Sequence, residues 1–502
     1  MRADIAIALL ALGSRAAFGA QPPSWPTATP EEVGVDSAAL VEMFEFVRTN
    51  GTLVHSVQLA RKGKLVLDAY FYPYREDMRH DVASVTKSIT STLVGLAIDK
   101  GHLRDVQQPL LSLFPERQVA NVDARKAKVT LEDLLTMRAG FDCGVQANNP
   151  SINVDVRLAE MRRTTEWPQY ALAMPMVDEP GKYFRYCNAN CHLVSAIITR
   201  RTGSNALAFA WRELFEPLGI RDVAWPTDPQ GHNYGWGDLQ LHPRDMAKIG
   251  QLFLQRGRWG ERQVISEAWI RQATRAHVEK TGGADQYGYF WWMPGPKYPG
   301  VFEAIGRGGQ RITVWPAKEL VLVYTGGGFN NDHLTPFILK ALKSDTPLPS
   351  NPQMLAKLRE HLAAVKKSPT PQPVAKLPPL AARISGRRYA LTSNSLDLTA
   401  LALKFDESAE ATLRLAGLGQ EFTGGVGLDG VLRFSKQNLI DLPFACKGRW
   451  LDDQTFFLEL DRVAGISCYQ FTLRFIDAGD SINVGLKERT GLLEESFAGA
   501  IQ

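Results

Sequence analysis

The sequence predicts an α+β chain in two folding units: a sheet domain carrying a long helical insertion, then a separate antiparallel β domain. Three observations predict it. Short β-rich runs stand at both ends of the first 345 residues, around a middle whose apolar residues recur at helical spacing. Proline clusters interrupt the chain between about 345 and 380. Beyond them the apolar period falls to two, with Tyr469, Phe471, Leu473 and Phe475 alternating with Gln470, Thr472 and Arg474, and Leu401, Leu403 and Phe405 following the same rule.

In chain order, residues 1–20 read as a secretory signal peptide. Met1-Arg2 precedes an apolar run from Ile5 to Leu12 and small residues around Ala17-Phe18-Gly19, with Asp4 and Arg15 as departures. The run falls short of the ~20 residues that cross a bilayer, so an exported, periplasmic or secreted protein is expected. The sheet domain is placed at 21–345. Ser37 to Asn50 reads as an amphipathic helix capped by Ser37, with Leu40, Val41, Phe44 and Val47 on one face and Asn50-Gly51 as its stop. Ser56 to Ala60 and Leu65 to Tyr72 flank Arg61-Lys62-Gly63-Lys64 as a hairpin. Further helices are expected near 131–137, 192–200, 206–214 and 243–256, and strands return between 301 and 324. Residues 346–380 are read as a Pro-rich linker with a helical piece at 353–367, and 381–502 as the all-β domain.

Composition excludes several classes. The formal charge of +4 comes without a dense basic block, so nucleic acid is not an expected partner. The five cysteines contain no Cys-x-x-Cys pair and there is no His-Glu-x-x-His, so no metal is expected and no cofactor is implied. If the chain is exported, Cys143 with Cys187 and Cys446 with Cys468 are candidate bridges; otherwise all five stay reduced. No Gly-x-Ser-x-Gly elbow occurs. Gly425-Val426-Gly427-Leu428-Asp429-Gly430 matches the dinucleotide glycine pattern but has no helix after it, so it reads as a β-turn.

The chemistry concentrates in three segments. Ser84 and Lys87 are three residues apart, which on a helix places hydroxyl and amine on one face. A hydroxyl needs a base to become a nucleophile, and a lysine held neutral can supply one. Tyr186-Cys187-Asn188 follows just before an expected helix, and Gly306-Arg307-Gly308-Gly309-Gln310 precedes an expected strand.

With these motifs in this order, the chain resembles the serine β-lactamase-related superfamily, which includes class C β-lactamases, penicillin-binding peptidases, related esterases and 6-aminohexanoate-dimer hydrolase. The resemblance covers about residues 30–345, with supporting context at 130–137, 215–220 and 287–292. It implies an antiparallel sheet flanked by helices plus a helical subdomain, with Ser84 at a helix N-terminus in the cleft between them. It implies Ser84 as the acylated nucleophile, Lys87 as its proton-handling partner and Tyr186 as a second base activated by the Lys87 cation. Asn188 would bind Lys87 or a substrate carbonyl. Backbone N–H groups of Ser84 and Gln310 would form the oxyanion hole, worth ~3 kcal/mol per donor.

The third segment departs from the family's Lys-Thr-Gly or Lys-Ser-Gly. Arg307 keeps a cation and loses the hydroxyl, which favours an esterase or linear-amide hydrolase over β-lactam or D-Ala-D-Ala recognition. Arg307, Gly308 and Gly309 are taken as the substrate-binding element, the glycines letting backbone approach the substrate. Trp236, Asp238 and Trp292 stay outside the site, because aromatic residues at this density more often build core. Two other functions compete, a cell-wall D,D-peptidase and a non-catalytic binding or sensor protein that retains the fold. The bland alternative at Ser84 and Lys87 is a helix cap beside a solvated lysine.

Overall fold

The computed structural model describes residues 25–145, 156–279, 281–282, 285–406, 408–417, 419–439 and 442–502. The expected signal peptide at 1–20 lies outside the described residues. The helix Ser37–Asn50 buries Leu40, Val41, Phe44 and Val47 as their spacing requires, and Gly51, at φ 57°, ends it. Its cap is Asp36 rather than Ser37. Asp36 accepts from the Ala38 N–H at 2.9 Å, while the Ser37 hydroxyl is drawn to Glu31.

Seven antiparallel strands form the main sheet in the order Lys64–Tyr70, Val54–Arg61, Leu320–Gly326, Gln310–Trp315, Phe302–Gly306, Trp292–Met293, Gln286–Tyr287. The first two make the expected hairpin through Lys62 and Gly63, both at positive φ. One face is covered by Ser37–Asn50, Thr335–Ala341 and Pro352–Val365, whose apolar side chains share one core with Val57, Leu59 and Tyr324. The other face packs on Pro243–Leu254, closely enough that a Cβ on Gly250 would stand 2.5 Å from Val321. The chain between Val85 and Ala273 supplies the helical layer, whose core is continuous with the sheet.

The region expected as a linker is partly docked. Pro352–Val365 lies against the Ser37–Asn50 helix and buries Leu358, because its amphipathic face has an apolar stripe to meet. The C-terminal unit is a closed barrel of nine strands from Arg388–Leu391 to Glu494–Ile501, sealed where Val426 and Gly427 pair in parallel with Cys446 and Lys447. Arg433–Leu439 adds a further strand on Leu442–Trp450. Gly425 and Gly427 lie at the end of the strand Gln420–Gly427, and the chain turns at Gly430. Closure leaves Arg433–Leu439 as the strand paired on one side only, and the alternate large residues fill the interior.

The cysteine pairing is corrected in part. Cys143 and Cys187 form a disulfide, whereas Cys446 and Cys468 are free and buried. Strand Thr455–Arg462 lies between the last two, pairing Leu460 with Cys446 and Asp461 with Cys468. Two strand spacings, about 10 Å, exceed the Cα separation a disulfide spans.

Candidate active site

The helix Val85–Asp99 starts immediately after Ser84, at a turn held by the Asp81 carboxylate, which accepts from the Ala83 N–H at 2.8 Å, and by the Thr86 hydroxyl, which donates to the Ala83 carbonyl at 2.6 Å. Ser84 occupies the N-cap position, yet its side chain makes no capping bond. Its Oγ instead accepts from Lys87 Nζ at 2.9 Å, and Lys87 donates to the Trp236 carbonyl at 2.8 Å. Lys87 is 1% exposed, so it is no solvated lysine. A hydroxyl, a carbonyl and an aromatic face surround this amine; no carboxylate pairs with it among the described residues.

The aromatic face is that of Tyr186, whose ring centroid lies 4.7 Å from Lys87 Nζ. Tyr186 is buried and stacks on Trp292 at 6.0 Å. The disulfide Cys143–Cys187 anchors the next residue, fixing the backbone that presents the phenol. Asn188 is the first residue of the helix Asn188–Thr202 and is nearly buried. Lys87 thus meets both Ser84 and the Tyr186 ring, with Asn188 two residues along from Tyr186 at the head of that helix.

The strand Phe302–Gly306 ends against the nucleophile turn. A Cβ on Gly306 would stand 2.5 Å from the Val82 carbonyl and 3.1 Å from Ala83 Cβ. Gln310 pairs with Gly306 across the ladder, and its buried amide clamps Gly326, donating to the carbonyl at 2.7 Å and accepting from the N–H at 3.1 Å. That fixes its backbone beside the Ser84 turn.

Arg307, Gly308 and Gly309 face elsewhere. Arg307 donates to Thr490 Oγ1 at 2.8 Å and to Ser467 Oγ at 3.2 Å, with Glu488 at 3.7 Å; all three belong to the barrel. A Cβ on Gly308 would stand 2.3 Å from Ile466, also of the barrel, and one on Gly309 would stand 2.7 Å from Phe329. At this turn the Arg307 side chain and both glycines thus have protein neighbours within contact distance. The barrel occupies the space beside Arg307 and Gly308, and the loop after the strand Leu320–Gly326 occupies that beside Gly309.

The barrel turn Arg462 to Ser467 thereby packs against the 306–310 turn and the segment leading to Ser84. The Ala464 carbonyl accepts from the Asp81 N–H at 2.8 Å, three residues before Ser84. Burial pushes the Asp81 carboxyl up, and burial followed by the Asp81 charge does the same to Asp238. Behind Trp236, His192 Nε2 and His232 Nδ1 contact Asp228 Oδ2 at 2.9 and 3.0 Å. These three residues are the His/carboxylate group that could hold a metal ion among the described residues; the carboxylate bonds one nitrogen of each ring, and His192 Nδ1 is buried without a partner.

Two contributors escaped the sequence. Trp236, set aside as a core aromatic, acts through its main-chain carbonyl, which no side-chain pattern reports. The barrel turn is some 380 residues from Ser84 in sequence and carries no motif.

Residues 44–341, more than half of the chain, match the family model described as Beta-lactamase. The chain is 25% identical over 315 residues to the 6-aminohexanoate-dimer hydrolase of Paenarthrobacter ureafaciens, covering 59% of this chain and 79% of that protein. It is 26% identical over 178 residues to the esterase EstB of Burkholderia gladioli, covering 34% of this chain and 45% of that one. A Bacillus anthracis protein assigned to the 6-aminohexanoate-dimer hydrolases shares the fold with a TM-score of 0.50 at 18% identity, over 68% of this chain and 87% of its own. None of the described helices is long and apolar enough to cross a membrane.

Proposed function

The chain belongs to the Beta-lactamase family, and on that premise we propose that it is a serine hydrolase cleaving ester or linear-amide bonds of small molecules through an acyl-Ser84 intermediate. The observation that carries the proposal is the 2.9 Å bond from a buried Lys87 to Ser84, with the Tyr186 ring against the same amine. In the first step Ser84 Oγ attacks the carbonyl carbon and its proton passes to the Lys87–Tyr186 pair. The oxyanion is received by the Ser84 and Gln310 backbone N–H groups, at the positive end of the helix Val85–Asp99. The tetrahedral intermediate expels the alcohol or amine, which takes the proton. Water then attacks the acyl-serine by the same path in reverse.

The relatives named as an amide hydrolase and an esterase support this substrate class. Commitment of Arg307 to the barrel favours it over a D,D-peptidase, since the cation at the position that would meet a substrate carboxylate is already bonded. Export is the compartment that suits the Cys143–Cys187 disulfide. The test is a panel of short-chain p-nitrophenyl esters, a linear amide, nitrocefin and a D-Ala-D-Ala peptide, run with wild type and Ser84→Ala. Ester or amide turnover that vanishes in the variant supports the reading; equal turnover by both proteins on every substrate sinks it.

A further inference from the structure

We propose that Asp238 determines specificity in this cleft, selecting substrates whose acyl group carries a protonated amine close to the scissile carbonyl. The inference rests on the acyl-Ser84 reading and adds a substrate class to it.

Its position is set by a two-stranded ribbon. His80 pairs with Leu241, Asp81 with Gln240, and the Val82 N–H donates to the Leu239 carbonyl at 2.9 Å. Continued by one residue, that register sets Asp238 across from Ala83, the residue before Ser84. A Cβ on Gly237 would lie 3.8 Å from the Ala83 carbonyl, so the two segments are in contact there. Two residues earlier, Trp236 is bonded to Lys87. Asp238 therefore stands beside the nucleophile on a segment already tied to the base.

Its carboxylate is half-buried and lacks a close partner. It accepts no hydrogen bond and makes no ion pair within 4.0 Å among the described residues. A carboxylate withdrawn from water without a partner is costly, and a bound cation would offset that cost. Asp81 adds a second negative charge next to it. The backbone at Asp238 has φ 62°, a left-handed conformation that Asp tolerates better than most residues.

Three cations oppose the idea. Arg162, Arg462 and Arg307 all act on Asp238 electrostatically. Arg307 is spent on Thr490, Ser467 and Glu488. Arg162 and Arg462 remain, and Arg462 Nε is buried without a hydrogen bond. If these two dominated, the cleft would select an anionic acyl group instead, which gives the experiment its opposing arm.

The full-length protein is assayed at pH 7 on methyl esters and p-nitroanilides of alanine (both enantiomers), propionate and succinate, which place an ammonium, nothing or a carboxylate near the carbonyl. We expect kcat/KM for one alanyl enantiomer to exceed that for propionyl about tenfold or more, as a charge-assisted hydrogen bond supplies. Asp238→Asn should collapse that ratio towards one and Asp238→Glu should keep part of it. Asp238→Gly, suited to the positive φ, repeats the loss where the Asn variant folds poorly. A preference for propionyl or succinyl, an unchanged ratio in Asp238→Asn and Asp238→Gly, or no Ser84-dependent turnover of alanyl compounds overturns the inference. Ser84→Ala separates the two claims. Turnover that survives it refutes the acyl-Ser84 reading, whereas Ser84-dependent turnover without amine preference refutes only the role of Asp238.

Discussion

At the residue scale, Lys87 is an amine 1% exposed with neutral partners, an arrangement that costs desolvation energy and is not repaid by an ion pair. Its retention is explained by chemistry, which sets up opposite expectations for activity and stability. Lys87→Met should lower kcat by ~10³-fold or more, since Ser84 loses its proton acceptor. The same variant should keep or raise Tm, because an apolar chain of similar length replaces a buried polar amine. Lys87→Arg should be as inactive as Met, as a guanidinium gives up no proton. Ester hydrolysis and thermal unfolding on the same samples check this, and loss of activity accompanied by a large fall in Tm would mark Lys87 as structural. The Ser84–Lys87 relation was legible in the sequence because one helical turn fixes it locally. The partner on the other side of the amine, the Trp236 carbonyl, was not, because it arrives through tertiary packing and belongs to the backbone.

At the scale of elements, the turn 306–310 is packed tightly by two neighbours distant in sequence. Side chains of Ile466 and Phe329 stand close to its two glycines. Gly308→Ala places a Cβ 2.3 Å from Ile466 at φ 83°, so it should cost ~2 kcal/mol or more in stability and reduce activity by displacing Gln310. Ile466→Ala in the same chain removes the collision but not the backbone strain, so partial recovery is expected. Full recovery, or none, would contradict this account of the turn. A second element-scale expectation concerns Asp461 on the barrel strand Thr455–Arg462. Burial pushes its carboxyl up to about 6. The folded state therefore binds its proton more tightly than the unfolded chain does, so this contribution to stability is full below pH 4 and is lost as pH rises through 6. Asp461→Asn should thus raise stability by ~2 kcal/mol at pH 8 and leave it nearly unchanged at pH 4, as urea unfolding at the two pH values would measure.

At the scale of the molecule, the change of apolar period separated a barrel from a helix-rich sheet domain, because alternation and helical spacing are written directly in residue order. How the two units meet was not written there. Their joint is made by single residues distant in sequence: Arg307 with Ser467 and Thr490, Asp81 with Ala464, and Tyr74 packed with Ala445 and Val463. Since the barrel is bonded to the segment leading to Ser84 and to the 306–310 turn, the two units should unfold together. Arg307 is the place to test it, because its two roles predict different data. As the joint, Arg307→Ala loses two charge-assisted hydrogen bonds, roughly 3 kcal/mol of coupling. It also leaves Glu488, nearly buried, beside no cation at this contact. Calorimetry of the variant should then show two transitions where wild type shows one, with kcat/KM falling for all acyl groups alike. As a substrate contact, Arg307→Ala would raise KM for anionic substrates selectively and leave the single transition in place. Conversion of one transition into two, with no substrate selectivity in the loss, is the outcome that the Thr490 and Ser467 bonds require.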